Sequence, residues 1–171
     1  IELLKIRLSV TVIFSSIAGY VLASGSGDLM LLVKLLFGGF FLVGASNGLN
    51  QVYEVQTDAL MDRTKMRPLP TKRISLNNAF LFSLCLGVLG IFLLSMINFR
   101  CAFFGALSCL IYVVGYTPLK TNTPLAGFIG AFPGAMPFML GWVSVTNQFS
   151  LETGILFAIQ FLWQFPHFWS I

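Results

Sequence analysis

Residues 29–46, LMLLVKLLFGGFFLVGAS, form an apolar run in which Lys34 is the single charged residue. A helix rises about 1.5 Å per residue, so about 20 such residues are enough to cross the ~30 Å hydrocarbon core of a bilayer. The stretch that follows, NQVYEVQTDALMDRTKMRPLP (50–70), gathers three carboxylates and three cationic side chains. This pattern predicts a membrane helix that ends in a polar, functional segment.

The composition of the whole chain indicates a membrane protein. Of its 171 residues, 57% are hydrophobic and 9% are charged, whereas about 25% of the residues in a soluble domain are charged. Windows long enough to cross a bilayer occur six times, at 8–24, 29–49, 78–98, 101–117, 125–145 and 152–171. We therefore predict an all-α, polytopic transmembrane helix bundle, with one integral membrane domain over residues 1–171.

The distribution of positive charge predicts the orientation of this bundle. If the amino terminus lies in the cytoplasm, eight of the ten Lys and Arg residues are cytoplasmic, and only Lys34 and Arg100 lie on the other side. Such a bias is typical of membrane proteins. It accounts for most of the net charge of +4 without a nucleic acid partner.

Small and sulfur-containing residues inside the spans are interpreted as packing residues. The glycines at 38, 39, 87, 90, 127, 130 and 134 suit close approach of helices. Cys85, Cys101 and Cys109 lie in or beside apolar spans without metal-ligand spacing, so we expect them to pack and not to form a disulfide framework.

Three oxygen-bearing side chains are spaced by four residues at the end of the second span. Successive members of the set Asn50, Glu54 and Asp58 are displaced by only about 40° around a helix axis, so they form one stripe. Amide and carboxylate oxygens suit Mg²⁺. Asp62 continues the stripe and is a further candidate metal ligand. A solvated loop is the alternative interpretation, and it is weakest for Glu54, since an acid at the membrane boundary is costly.

A cluster of cations follows the acids directly. Arg63, Lys65 and Arg67 would place an anion site beside the cation site. A diphosphate with bound Mg²⁺ requires that pairing. Tyr116 and Lys120 lie at the same end of the bundle, where such residues are also common as membrane anchors.

The sequence 50–69 resembles the first acidic signature of the UbiA superfamily of intramembrane prenyltransferases, and in particular its haem-modifying branch. In that branch the signature reads Asn-x-x-x-(Asp or Glu)-x-x-x-Asp-x-x-Met-x-Arg-Thr-x-x-Arg-Pro-Leu. It is matched in register by Asn50, Glu54, Asp58, Met61, Arg63, Thr64, Arg67, Pro68 and Leu69. Two further stretches agree in order: YTPLK (116–120) with the following GAFPGAMPFMLGW (130–142), and FLWQFPHFW (161–169) near the end.

The resemblance implies transfer of a farnesyl group from farnesyl diphosphate to a vinyl group of protoheme IX, giving haem O for terminal oxidase assembly. It implies Asn50, Glu54 and Asp58 as catalytic residues that hold a Mg²⁺ cofactor. Haem is then a substrate. The implied diphosphate-binding residues are Arg7, Arg63, Lys65, Arg67 and Lys120. The implied location is the bacterial cytoplasmic membrane or the mitochondrial inner membrane, with the acidic signature on the cytoplasmic or matrix side.

His167 is the only histidine of the chain and lies in the last of these motifs. Imidazole is a common ligand of haem iron, so the resemblance makes His167 a candidate haem-binding residue. Stacking against the propionates and a structural role at the membrane boundary remain the alternatives. The neighbouring aromatics are typical of a membrane interface, and we do not assign them to haem.

The chain departs from the family pattern at three places. Gln51 stands where many members have an acid, Glu54 replaces Asp, and Ile6 in KIR (5–7) replaces a frequent proline. Members of the family have nine membrane helices and a second acidic signature after the sixth. We therefore expect these residues to represent the first two-thirds of a family member.

Two other functions are compatible with the pattern. One is a sister prenyltransferase that acts on a quinone or chlorophyll precursor through the same metal site. The other is a transporter or ion channel in which Glu54 and Asp58 line a cation path. The second alternative predicts acids distributed through the bilayer, whereas most acids here lie at the ends of spans.

Overall fold

A computed structural model describes residues 2–23, 27–121 and 123–169, with side chains up to His167. The regular elements in these ranges are all helical, which confirms the all-α prediction. The α-helices are α1 (Ile6–Ala23), α2 (Leu29–Tyr53), α3 (Val55–Leu60), α4 (Leu76–Ser95), α5 (Phe99–Leu110), α6 (Thr117–Leu119), α7 (Leu125–Thr146) and α8 (Leu151–Trp169). A 3₁₀ turn, Glu2–Leu4, precedes α1, and a π-helical segment, Ile111–Tyr116, joins α5 to α6.

Within the described ranges, five helices are long and apolar enough to cross a membrane. They are α1, α2, α4, α7 and the continuous helical segment Phe99–Leu119. The sixth predicted span forms α8, but it is not among these five. Glu152, Gln160, Gln164 and His167 lower the hydropathy of α8, which explains the difference from the sequence prediction.

Polar side chains fix where three of these helices begin. The Oδ1 atom of Asp28 accepts hydrogen bonds from the backbone N–H groups of Met30 and Leu31, at 2.8 and 3.2 Å. Ser75 caps α4 and Asn98 caps α5 in the same way. Each cap satisfies N–H groups that have no partner inside the helix, and so stabilises the start of a membrane span.

Glycines allow the helices to pack with their backbones almost in contact. A Cβ atom at Gly19 of α1 would lie 2.0 Å from the carbonyl oxygen of Phe138 in α7. A Cβ atom at Gly90 of α4 would lie 2.9 Å from the carbonyl oxygen of Gly38 in α2. Both contacts agree with small-residue packing in membranes. The three cysteines are free thiols, as the sequence predicts.

The apolar core lies between α1, α2, α4, α5 and α7. It contains Tyr20, Leu35, Leu42, Leu94, Cys101, Ala102, Met136, Met139, Leu140 and Val143. Because consecutive spans run in opposite directions, the start of α1, the end of α2 and the start of α4 lie at the same end of the bundle. The segment around α6 also reaches this end, which we call the polar end.

Candidate active site

We call the aligned side chains of Asn50, Glu54 and Asp58 the acidic stripe. Their alignment continues across a break in the helix. α2 ends at Tyr53 and α3 begins at Val55, with Glu54 between them at φ −92°. The helical hydrogen-bond pattern nevertheless continues, from the Glu54 N–H to the Asn50 carbonyl at 3.0 Å and from the Asp58 N–H to the Glu54 carbonyl at 2.8 Å. The side chains of Asn50, Glu54 and Asp58 are therefore kept in line, and the three residues are only 1%, 5% and 4% exposed.

Each carboxylate of the stripe faces a cation from another segment. Lys120 forms an ion pair with Oε1 of Glu54. Arg67 Nη1 lies 2.7 Å from Oδ2 of Asp58. Buried charges are stable only when they are paired, so these contacts explain how two acids can be held at the end of a membrane helix.

The loop between α3 and α4 folds back over the stripe. The hydroxyl of Thr64, which is 2% exposed, donates to the backbone carbonyl of Asp58 at 2.8 Å. Arg73 pairs with Glu2 at 2.7 Å and donates to the carbonyl of Met66, also at 2.7 Å. These bonds hold the loop so that Arg67 lies beside Asp58. The sequence signature contains both residues but does not indicate that they form a pair.

The amino-terminal turn is bound to α2 by two buried amides. Gln51 Nε2 donates to the carbonyl of Leu3 at 2.8 Å, and Asn47 Nδ2 donates to the carbonyl of Leu4 at 3.4 Å. Gln51 and Asn47 are four residues apart and so share a face of α2. The next residue, Lys5, has a positive φ of 46°, which turns the chain into α1.

Lys5 is the functional candidate that the sequence interpretation missed. Its side chain lies within electrostatic reach of Arg67, Lys120, Glu54 and Asp58. Burial, together with the positive charges of Arg67 and Lys120, lowers the pKa of Lys5 to about 8. A positive-φ turn held by side-chain amides leaves no periodic pattern in the sequence, so only the KIR motif (5–7), which begins with Lys5, could have pointed to this residue.

Four of the predicted site residues lie on the surface, away from the buried acidic stripe: Asp62, Lys65, Arg63 and Arg7. Asp62 is 96% exposed at its side chain and pairs with Lys65 at 2.6 Å. Because α3 ends at Leu60, Asp62 leaves the stripe that an uninterrupted helix would have continued. Arg63 is exposed in an open groove that Arg67 also lines. Arg7 is exposed on α1, and within the described residues it has no ion pair with a carboxylate.

His167 lies near the end of α8, on a helix separate from the acidic stripe. The helix packs against α7 through aromatic rings, among them Phe128 with Phe165 and Phe132 with Phe161. The His167 side chain is exposed. Because α8 runs antiparallel to α7, its last turn lies at the polar end of the bundle, the end that also carries the acidic stripe.

The donor atoms of the stripe suit a hard cation. No cluster of three or more His, Cys, Asp or Glu side chains occurs in the part of the chain that the structure describes. A metal at the stripe would therefore use one amide and two carboxylates from the protein, namely Asn50, Glu54 and Asp58. Mg²⁺ accepts such a partial set because it retains waters and binds substrate phosphates.

Relatives of known name match almost the whole chain. A protoheme IX farnesyltransferase of Christiangramia forsetii is 55% identical over 99% of this chain and 57% of its own length. One from Flavobacterium psychrophilum is 52% identical over 99% of this chain and 58% of its own length. The chain thus spans somewhat more than half the length of these relatives.

Two solved structures share the fold. A digeranylgeranylglyceryl phosphate synthase is 26% identical, with a TM-score of 0.85 over 94% of this chain and 57% of its own. A UbiA homologue from Archaeoglobus fulgidus bound to DMAPP and Mg²⁺ is 18% identical, with a TM-score of 0.84 over 97% of this chain and 61% of its own. The latter likeness concerns the fold alone.

A family model for UbiA prenyltransferases matches residues 12–171. This match, together with the five apolar helices, identifies an integral membrane protein. The chain belongs to the UbiA prenyltransferase family.

Proposed function

We propose that the full-length protein transfers a farnesyl group from farnesyl diphosphate to a vinyl group of protoheme IX. The observation that carries this proposal is the pairing of Glu54 with Lys120 and of Asp58 with Arg67. It brings metal-binding oxygens and phosphate-binding cations together at the end of a membrane helix. Identity of 55% to a protoheme IX farnesyltransferase supports the choice of both substrates.

Asn50, Glu54 and Asp58 would hold the metal, which we propose to be Mg²⁺. Their amide and carboxylate oxygens are the ligands this ion prefers. A UbiA homologue from Archaeoglobus fulgidus has been solved with DMAPP and Mg²⁺, which supports the choice. When bound, Mg²⁺ supplies positive charge against the negative charge that grows on the leaving diphosphate. Asp62, exposed and paired with Lys65, would contribute less.

The diphosphate oxygens would be bound by Lys5, Arg67 and Lys120. These three cations approach the stripe from the amino-terminal turn, the α3–α4 loop and the helical segment beyond the π-helix. Arg67 has a planar fork of donors that can hold two phosphate oxygens at once. Arg63 and Lys65, on the outer part of the loop, would attract the substrate from solution, and for Arg7 we propose at most that long-range role.

The reaction then follows from charge and from the exclusion of water. The bond between C1 of the farnesyl group and the diphosphate oxygen breaks, and the electron pair leaves with the diphosphate. The terminal carbon of the haem vinyl group attacks the allylic cation, and a C–C bond forms. Water adds to the cation on the inner vinyl carbon and loses a proton, which gives a hydroxyethylfarnesyl group. The apolar bundle would protect the allylic cation from early capture by water.

His167 is the proposed contact to haem. His167 lies near the end of α8, at the polar end of the bundle. Imidazole is a common ligand of haem iron. We further propose that residues 1–171 form part of a single membrane domain. The positive-inside bias favours the cytoplasmic membrane of a bacterium, or the mitochondrial inner membrane in a eukaryote, with the acidic stripe on the cytoplasmic or matrix side.

The direct test combines the full-length gene product, in detergent, with two substrates. These are protoheme IX and farnesyl diphosphate that is labelled at C1. The expected product carries both the label and the haem absorbance in one chromatographic peak. Formation of this peak should require Mg²⁺ and should be lost in Asp58→Asn. A parallel reaction offers a quinone precursor in place of haem. Labelling of that precursor, with haem left unlabelled in the first reaction, would overturn the haem assignment and favour the sister prenyltransferase.

The ion-conducting alternative receives less support. Family membership favours prenyl transfer. Glu54 and Asp58 lie together at the polar end of the bundle, and each is paired with a basic side chain. Flux of a divalent cation into vesicles that contain the full-length protein, without prenyl transfer, would favour the alternative.

A further inference from the structure

The membrane span that carries Lys120 changes its winding just before it reaches the acidic stripe. Ile111–Tyr116 is π-helical, and the N–H of Thr117 donates to the carbonyl of Tyr112, five residues earlier. A π turn contains one more residue than an α turn, so the residues beyond it are rotated by about 100°. After this rotation, Thr117 contacts Asn50 and Lys120 contacts Glu54.

The hydroxyl of Thr117 can act toward Asn50 only as a hydrogen-bond acceptor. It donates its single hydrogen to the carbonyl of Tyr112, at 2.8 Å. Oγ1 of Thr117 must therefore act as an acceptor for any further bond. Asn50 Nδ2 lies 3.1 Å from this oxygen and donates to it.

This bond fixes which end of the Asn50 amide faces Thr117. The NH₂ group points toward Oγ1, so the amide oxygen, Oδ1, points away from it. The reverse orientation would bring Oδ1 against another acceptor and leave an NH₂ group without this partner, which is costly because both residues are only 1% exposed. A cation can bind Oδ1 but not the NH₂ group.

We propose that Thr117 is a positioning residue that holds the Asn50 amide with its oxygen available to a divalent cation. This inference rests on the proposed function, since it assumes that Asn50 is a metal ligand. It assigns a role to the π-helical segment, whose Tyr112 carbonyl takes up the Thr117 hydrogen. Groups that orient a metal ligand in this way commonly change metal affinity by about 10–100-fold when they are removed.

The test measures Mn²⁺ binding to the detergent-purified full-length protein by the loss of the free-ion electron paramagnetic resonance signal. Thr117→Val keeps the shape of the side chain but removes the oxygen. We expect it to weaken Mn²⁺ binding about tenfold or more, whereas Thr117→Ser, which keeps the hydroxyl, should bind nearly as wild type does. If Thr117→Val does not fold, Thr117→Ala removes the same oxygen without adding bulk.

A double-mutant cycle separates orientation of the ligand from simple packing. In Asn50→Asp both side-chain oxygens are equivalent, so no particular orientation is needed. Thr117→Val should therefore weaken Mn²⁺ binding much less in the Asn50→Asp background than in the wild-type background. Equal losses in the two backgrounds, or wild-type affinity in Thr117→Val, would overturn the proposal.

The outcome for Asp58→Asn distinguishes this inference from the proposed function. If Asp58→Asn loses Mn²⁺ binding while Thr117→Val does not, the metal site stands and the role of Thr117 is wrong. If the wild type does not bind Mn²⁺, or if Asp58→Asn binds it as the wild type does, the metal site itself is wrong and both proposals fail.

Discussion

Arg67 Nη1 lies 2.7 Å from Oδ2 of Asp58, and this ion pair closes the loop between α3 and α4 over the end of the acidic stripe. The carboxylate is almost fully buried, whereas the guanidinium side chain is 25% exposed. Arg67 can therefore contact Asp58 and a substrate anion from the same position. One loop thereby connects the proposed metal site to the proposed diphosphate site.

The role of Asp58 is tested by Asp58→Asn in the full-length enzyme. The substitution keeps the size of the side chain but removes the charge that would bind Mg²⁺. Turnover should fall about 10²-fold or more, as in other losses of transition-state charge stabilisation. Steady-state prenyl transfer at saturating Mg²⁺ is the measurement, and near-normal turnover would exclude Asp58 as a metal ligand.

Arg67→Lys tests the proposed diphosphate contact. Lysine keeps the charge but lacks the planar fork of donors, so the KM for farnesyl diphosphate should rise more than kcat falls. The matched control is Asp62→Asn, because Asp62 is exposed and lies beyond the buried stripe. If Asp62→Asn is as damaging as Asp58→Asn, the site extends farther along the loop than we propose.

The periodicity of a helix explains which parts of the site could be predicted. A spacing of four residues was sufficient to place Asn50, Glu54 and Asp58 on one stripe. It failed for Asp62, because α3 ends at Leu60. The approach of Lys5 depends on a positive φ and on Gln51 and Asn47 holding the turn, and a periodic pattern carries no information about either.

The packing of the helix bundle could likewise be predicted from the sequence only in part. The sequence indicated six apolar segments and the closeness of glycine-containing helices, but not which glycines touch. The π-helical segment, which aligns Thr117 with Asn50, has no signature in the apolar pattern. Its effect appears only when the span is packed against α2.

Lys5 predicts a specific dependence of diphosphate binding on pH. Its pKa is lowered to about 8 by burial and by the charges of Arg67 and Lys120, against the opposing effect of Glu54 and Asp58. Lys5 is therefore charged below pH 8 and becomes neutral above it, so affinity for inorganic diphosphate should fall as the pH rises through 8. Calorimetric titration of the full-length protein at fixed Mg²⁺ measures this change.

Lys5→Arg supplies the control for this pH dependence. Arginine remains charged throughout the range, so the variant should retain its affinity above pH 8. Lys5→Met should bind weakly at every pH. The same pH profile in wild type and Lys5→Arg would show that another group causes the change.

The crossing of α1 and α7 predicts a marked difference between two glycines. Gly19→Ala would place a Cβ atom 2.0 Å from the backbone oxygen of Phe138, and the backbone cannot yield without separating the helices. We expect a loss of about 1–3 kcal/mol in stability, as in other overpacked sites. Gly39→Ala is the control, because the described residues place no atom within 4 Å of its Cβ position. Thermal unfolding in detergent should show a clear decrease for the first variant only.

His167→Ala tests whether haem is the acceptor. Because His167 lies on α8 and the acidic stripe lies on α2 and α3, the substitution should weaken haem binding and leave diphosphate binding intact. A structural histidine would instead lower both together, through a loss of folded protein. Haem titration by absorbance, with diphosphate binding measured on the same samples, separates the two cases. Unchanged haem affinity and spectrum in His167→Ala would remove this residue from the acceptor site, and a wild-type protein that does not bind haem would favour a quinone-type acceptor instead.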